Sequence, residues 1–192
     1  LRPLPPVTGV AGTAVFDRSK IELTPSSGRL MGVAVTGGLI RAYDLDTDDE
    51  KLSIDLAIEG PLRDAMTVID SEPLFYAREI GIEPAKVSGR AKAKLAFSFP
   101  LVRDLQFAQV DLGVSANLSD VGVKDLVFGA DAERGVLDLA LDRNGLQLQG
   151  GAELAAVPAA ISLSHNFKPD RSGVSTRYTV WTVVDRAGRQ RL

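Results

Sequence analysis

Few residues in this chain have side chains suited to chemistry. Of its 192 residues one is histidine, His165, and none is cysteine. That leaves no thiolate nucleophile, no disulfide and no ordinary zinc or copper site, because those metals need clustered imidazole or thiolate ligands. His165 alternates in step with Ile161, Leu163 and Phe167, which puts it on a mostly apolar strand face near a strand end. A partly buried structural histidine fits that position better than a catalytic base. The Gly-x-Ser-x-Gly elbow, the Ser-x-x-Lys pair, the P-loop and the dinucleotide glycine fingerprint are all missing. The best candidate for a metal is the acidic run Asp44-Leu45-Asp46-Thr47-Asp48-Asp49-Glu50, with Asp55 at the twelfth place of a calcium loop. Asp49 stands where such a loop needs glycine, and strand patterns flank it instead of helices. A solvated turn is the expectation, with no metal and no cofactor. Asn117-Leu118-Ser119 has the form of a glycosylation acceptor but falls inside a strand pattern. The expectation is a chain with no catalytic residue, not an enzyme.

Charge and composition exclude further classes. The net charge of −3 argues against nucleic acid as a partner, since phosphate binding needs a concentrated positive field. Charge is uneven: acids dominate from Asp44 to Glu83, while Lys168, Arg171, Arg177, Arg186, Arg189 and Arg191 face only Asp170 and Asp185. That basic tail lacks interleaved aromatics and reads as a solvated surface. Trp181 is the only tryptophan, so the aromatic platforms that stack on sugar rings are also lacking. No stretch approaches the roughly 18 apolar residues of a membrane span.

The elements that would position any site are strands. Leu52, Ile54, Leu56 and Ile58 alternate with Lys51, Ser53, Asp55 and Glu59. Ala91, Ala93, Leu95, Phe97 and Phe99 alternate with Arg90, Lys92, Lys94 and Ser98, and Val110, Leu112, Val114, Ala116 and Leu118 with Asp111, Ser115 and Asn117. Leu137, Leu139 and Leu141, then Leu146 and Leu148, continue the pattern against Asp138, Asp142, Gln147 and Gln149. Period-two alternation means strands with one dry and one wet face, the mark of antiparallel sheet. Further strands are expected near 13–17, 20–24, 30–36, 38–43, 121–127, 157–164 and 174–184. Links are expected at Pro25-Ser26-Ser27-Gly28, at 46–49, and at Arg143-Asn144-Gly145, where Asn and Gly suit a positive-φ hairpin turn.

One interruption is helical, a short cap near residues 61–80. Pro61 suits a first helical position, and Leu62, Ala65, Met66 and Ile69 follow a 3.6-residue period. A second short helix is expected from 73 to 80, stopped by Gly81. The opening LRPLPPVTGV reads as a proline-stiffened linker, residues 1–12, before one β-rich segment over 13–192. An alternating strand, a turn and a Gly-containing alternating strand recur over 21–40 and 137–161, which suggests tandem units.

Strands with one dry face must cover it, since each fully buried Leu or Ile gains roughly 1.5–3 kcal/mol. Two sheets may cover each other, one sheet may close as a barrel, or one may stay curved and open around a ligand or helix. Periodicity alone favours the self-covered sandwich. The open form competes because only a short helical element is available as cover.

The segment from LSIDLAIEGPL to FSFPLVRDL resembles the AsmA-like bacterial envelope proteins, specifically their YhdP branch, among the TamB/AsmA-type β-groove lipid-transfer proteins. Gly60, Pro61, Leu62, Pro73, Leu74, Gly89, Arg90, Ala91, Phe99, Pro100 and Leu101 carry the likeness, as do the strand pair over 143–167 and the closing YTVWTVVDRAGRQRL, which looks like the start of a next unit near 174–192. The likeness covers 13–192, and its motifs are structural and moderately specific. It implies a mainly β fold, a long curved antiparallel sheet in the form of an open groove or half-barrel. It also implies a module of an inner-membrane-anchored protein of a Gram-negative periplasm. Such proteins conduct phospholipid toward the outer membrane with acyl chains along an apolar groove. The partners implied are those acyl chains and neighbouring β units of the same chain, with membrane contact only through parts outside this segment. The groove candidates are Leu52, Ile54, Leu56, Ile58, Leu95, Phe97, Phe99, Val110, Leu112, Val114, Leu137, Leu139, Leu146 and Leu148. The competing expectation is a periplasmic scaffold whose dry faces fill a closed core and which binds no lipid.

Overall fold

The computed structural model describes residues 6–69, 83–127, 130–167 and 174–182. Ten strands run β1 (Thr8–Phe16), β2 (Lys20–Leu30), β3 (Val33–Tyr43), β4 (Lys51–Pro61), β5 (Val87–Pro100), β6 (Asp111–Val127), β7 (Ala130–Asp142), β8 (Gly145–Leu154), β9 (Val157–Asn166) and β10 (Thr176–Thr182). They form a single antiparallel sheet in which each strand lies beside its neighbours in sequence. β1 and β10 are its two edges, so the sheet is open: neither a closed barrel nor the sandwich that periodicity alone favours. Residues 8–12, read above as linker, are the first half of β1. β10 pairs with β9 and belongs to the same sheet as the rest.

Several strands are longer than the alternation suggests. The expected link at 25–28 is the interior of β2. Pro25 can sit there because residues 24–27 have no partner in β3, while on the β1 side Pro25 faces Gly12 beside a register shift. A proline lacks the N–H that a continuous ladder requires, so it is tolerated where the ladder is already broken. The strands expected at 30–36 and 38–43 are one strand, β3, reached through a turn at Met31 and Gly32. Residues 111–118 and 121–127 likewise join in β6, with one irregularity between them at Asp120 and another within the second stretch at Asp125, whose φ are 52° and 53°.

Those bulges belong to a band at one end of the sheet. Register slips in the same band occur between Ser88 and Arg90 in β5 and between Glu133 and Val136 in β7, while a further slip, between Val35 and Gly37 in β3, lies nearer the middle of the sheet. At Gly89 the φ of 116° excludes other residues at little cost, and an added Cβ would lie 2.8 Å from the Ser119 carbonyl oxygen. An extra residue in one strand bends it and raises the local twist. The band therefore curves the sheet next to the helix it carries.

That helix, α1 (Leu62–Ile69), packs on the dry face at the bulged end. Its first helical residue is Leu62; Pro61 is the last residue of β4 rather than the first of the helix. Leu62 and Met66, one turn apart, enter a cluster with Val87, Ala91, Leu118, Val121 and Leu137. The Arg63 side chain donates to the Val87 carbonyl at 3.2 Å and fixes the helix to the start of β5. Asp64 in its first turn suits the positive end of the helix dipole. The second expected helix, 73–80, lies outside the described residues.

Candidate functional site

Strand register assembles the dry residues into rows across the sheet. One row runs Gly38, Leu56, Leu95, Val114, Leu141, Leu146 and His165. A second runs Val35, Ile58, Ala93, Ala116, Leu139, Leu148 and Leu163. Leu23, Ile40, Ile54, Phe97 and Leu112 form a third, and Phe16, Ile21, Ala42, Leu52 and Phe99 a fourth. Because side chains alternate with period two, all four rows lie on one face. The four rows hold twelve of the fourteen groove candidates, and Leu137, in the next row with Ala91 and Leu118, shares their face. Val110 is the exception: hydrogen-bonded pairing with β5 stops at Asp111, and Val110 lies before β6 begins.

Burial grades along this face. Leu52, Ile54, Leu56, Ile58, Leu95, Phe97, Phe99, Leu112 and Val114 are half-buried, as expected where side chains shield one another without a covering layer. Leu118, Leu137, Leu146 and Leu163 are buried. α1 covers the first two. Among the described residues no second sheet lies over any part of the face.

The opposite face is wet and cross-linked by ions. Glu59 meets Arg90 at 3.1 Å and Lys92 at 3.4 Å. The Arg90 hydrogen bond, followed by the charge of Lys92, holds the Glu59 carboxyl below its usual range. Arg41 donates to Glu22 at 2.8 Å, and this bond lowers the Glu22 carboxyl in the same way. Arg134 pairs with Glu153, and Asn117 donates to Asp138 at 2.6 Å. Exposed pairs of this kind add little stability each, but they mark the face that stays in water.

Two open depressions, of about 540 and 570 Å³, are also on the wet side. The first lies between Asp55, Ala96 and Gly113 on one flank and Ala57, Lys94 and Ser115 on the other, all wet-face positions. The small side chains there uncover the backbone of Leu56, Leu95 and Val114. The second is bounded by Glu59, Lys92, Asn117 and Asp138. Apolar atoms make up most of the first lining and more than half of the second, interleaved with Asp55, Glu59, Lys92, Lys94 and Asp138. The four apolar rows present their side chains on the other side of the sheet.

The acidic link after β3 gathers its own cation. Lys51 Nζ lies 2.6 Å from an Asp49 oxygen and 3.5 Å from one of Asp44, and the Asp49 bond raises the lysine pKa. Asp55, the supposed twelfth ligand, is exposed within β4. The Arg143 to Gly145 turn is a hairpin as expected, but neither Asn144 nor Gly145 has a positive φ. Instead the Asp142 carboxylate accepts the backbone N–H groups of Asn144 at 2.7 Å and Gly145 at 3.1 Å, which depresses its own pKa. Arg143 then reaches back to Asp111 and to the Ala108 carbonyl, both at 2.7 Å, tying two loops at this end of the sheet.

Comparison with protein-family models, with curated proteins and with solved structures finds no match to this chain.

Proposed function

We propose that this chain is a non-catalytic module of an AsmA-like β-groove protein. On this reading its dry face carries phospholipid acyl chains across a Gram-negative periplasm, from the inner toward the outer membrane. One observation carries it: four rows of Leu, Ile, Val, Phe and Ala form one face of an open ten-stranded sheet, with only the eight-residue α1 packed over one end among the described residues. An apolar surface of that extent is costly to leave in water, and exposed patches larger than a few hundred Å² mark interaction sites. Each methylene laid against it gains about 0.8 kcal/mol, so a lining without charged anchors favours alkyl chains and leaves them free to slide. No helix among the described residues is long and apolar enough to cross a membrane. The inner-membrane anchor that the reading requires is assigned to other parts of the protein.

Site-specific photo-crosslinking tests the proposal by face. A benzophenone side chain at Leu56, Leu95 or Val114 is expected to capture phospholipid in the living envelope, and the same group at Asp55, Lys94 or Ser115 is not. Capture from both faces alike, or from neither, would refute the groove.

The scaffold reading draws on the edges instead. β1 is exposed along its whole length, and β10 leaves Val180 and Trp181 exposed, so both edges are suited to pairing with neighbouring strands. It predicts that proline substitutions in β1 or β10 abolish function while charges placed at Leu56 or Leu95 do not.

A further inference from the structure

The chain has three asparagines, Asn117, Asn144 and Asn166, followed in turn by Leu118, Gly145 and Phe167. Spontaneous deamidation of an asparagine needs the next residue's backbone nitrogen to reach the side-chain carbonyl carbon. A bulky next side chain hinders that approach, and glycine does not. Asn144-Gly145 is therefore the labile pair, and Asn144 is exposed. Packing keeps the glycine in place: a Cβ at residue 145 would collide with the His165 carbonyl oxygen where β8 pairs with β9.

The peptide unit between Asn144 and Gly145 is pinned on both sides. Its carbonyl oxygen, that of Asn144, accepts the Phe167 N–H at 2.9 Å. Its N–H, that of Gly145, donates to Asp142 Oδ1 at 3.1 Å. The same oxygen accepts the Asn144 N–H at 2.7 Å, and the Asn144 side-chain amide donates to Asp142 Oδ2 at 3.4 Å. The nitrogen that would attack thus holds its proton in a hydrogen bond to an anion, which favours the protonated form. The amide it would attack is held by the same carboxylate.

We propose that Asn144 is a latent deamidation site, kept as asparagine by the Asp142 carboxylate and converted when the hairpin between β7 and β8 opens. On opening, the Gly145 nitrogen gives its proton to a solvent base and bonds to Asn144 Cγ. The Cγ–Nδ2 bond breaks, and the amide nitrogen takes up a proton and leaves as ammonia. Water then opens the resulting succinimide at either carbonyl, giving aspartate or isoaspartate. The product fits the turn poorly. A second carboxylate replaces the donor to Asp142, and isoaspartate adds a methylene to the backbone between the two pinning bonds.

The test follows conversion at each asparagine by peptide mapping and mass spectrometry while the purified chain stands at mildly alkaline pH. A synthetic peptide of residues 140–149 is the unpinned reference. In denaturing urea the chain is expected to convert Asn144 as fast as the peptide does, and ahead of Asn117 and Asn166. Folded, it is expected to convert Asn144 at least about 10-fold more slowly, the worth of one hydrogen bond to a charged acceptor. Asp142→Ala is expected to recover most of that factor, and Asp142→Asn, which keeps a neutral acceptor, part of it. Because Asp142→Ala also weakens the fold, Met66→Ala is the comparison. It loosens the α1 cluster at the other end of the sheet and is expected to leave the Asn144 rate within about twofold of the parent's. A folded chain that converts Asn144 as fast as the peptide would overturn the pinning. Equal acceleration by Met66→Ala and Asp142→Ala would also overturn it, since global unfolding would then control the rate. No conversion at Asn144 in urea would overturn the site itself.

Discussion

Leu118 and Leu95 point from the same face of the sheet, but the open architecture assigns them very different energetic roles. Leu118 is 6% exposed and packed between α1 and the cluster of Val87, Ala91, Val121 and Leu137. Truncation to alanine there removes about three methylene equivalents, roughly 2.4 kcal/mol of transfer free energy. It also leaves a cavity that the helix and the bulged strands cannot close, so the total is expected near 3–4 kcal/mol. Leu95 is half-buried among its row neighbours with no layer above it. Leu95→Ala loses only the shielded part of the same transfer energy and encloses no void, so about 1–1.5 kcal/mol is expected. Equilibrium unfolding in urea, followed by far-ultraviolet circular dichroism, reads the difference as a shift in midpoint at constant slope. If Leu95→Ala cost as much as Leu118→Ala, a second layer would have to cover the middle of the face, and the open-sheet reasoning would be wrong.

Two further predictions concern the hairpin ends. Ala155 and Ala156 connect β8 to β9 with φ of 48° and 62°, a left-handed conformation that disfavours alanine and suits Asn-Gly. The double substitution Ala155→Asn, Ala156→Gly is expected to raise stability by about 1–2 kcal/mol, and unchanged or lower thermal stability would contradict the turn geometry. The depressed carboxyls of Asp17, Glu22, Glu59 and Asp142 contribute stability that is present above their unfolded pKa values and lost as pH falls through the folded ones. Melting temperature should therefore decline below about pH 4, and the deficit of Asp142→Ala relative to the parent chain should shrink there. A deficit independent of pH would show that the Asp142 carboxylate does not hold the turn as an anion.

The strands from β4 to β9 were legible because period-two alternation there is strong: Leu52 to Ile58, Ala91 to Phe99 and Leu137 to Leu148 each declare a dry face. What dries that face is not a local property. The same alternation serves a sandwich, a barrel or an open sheet, and only the order of the strands, one sheet with β1 and β10 left as its edges, decides among them. Pro25 read as a link because a proline breaks a ladder, and nothing local reveals that the ladder to β3 is already open there. The alternation breaks between Leu118 and Val121, which reads as two strands, because the bulge at Asp120 has the same polar composition as a turn. The Asn144-Gly145 hairpin was placed correctly for a different reason than expected, since Asp142 supplies the hydrogen bonds that close it. Val110 continued the alternation by composition alone, beyond the last pairing between β5 and β6.

Native mass spectrometry of the purified chain, followed by extraction and identification of whatever dissociates from it, tests the central claim most directly. The β-groove account predicts phospholipid released in a defined ratio, and its loss when Leu56 and Leu95 are both replaced by aspartate in a chain that still folds. A lipid-free, monodisperse protein that takes up no added phospholipid would contradict it and would give the scaffold reading first place.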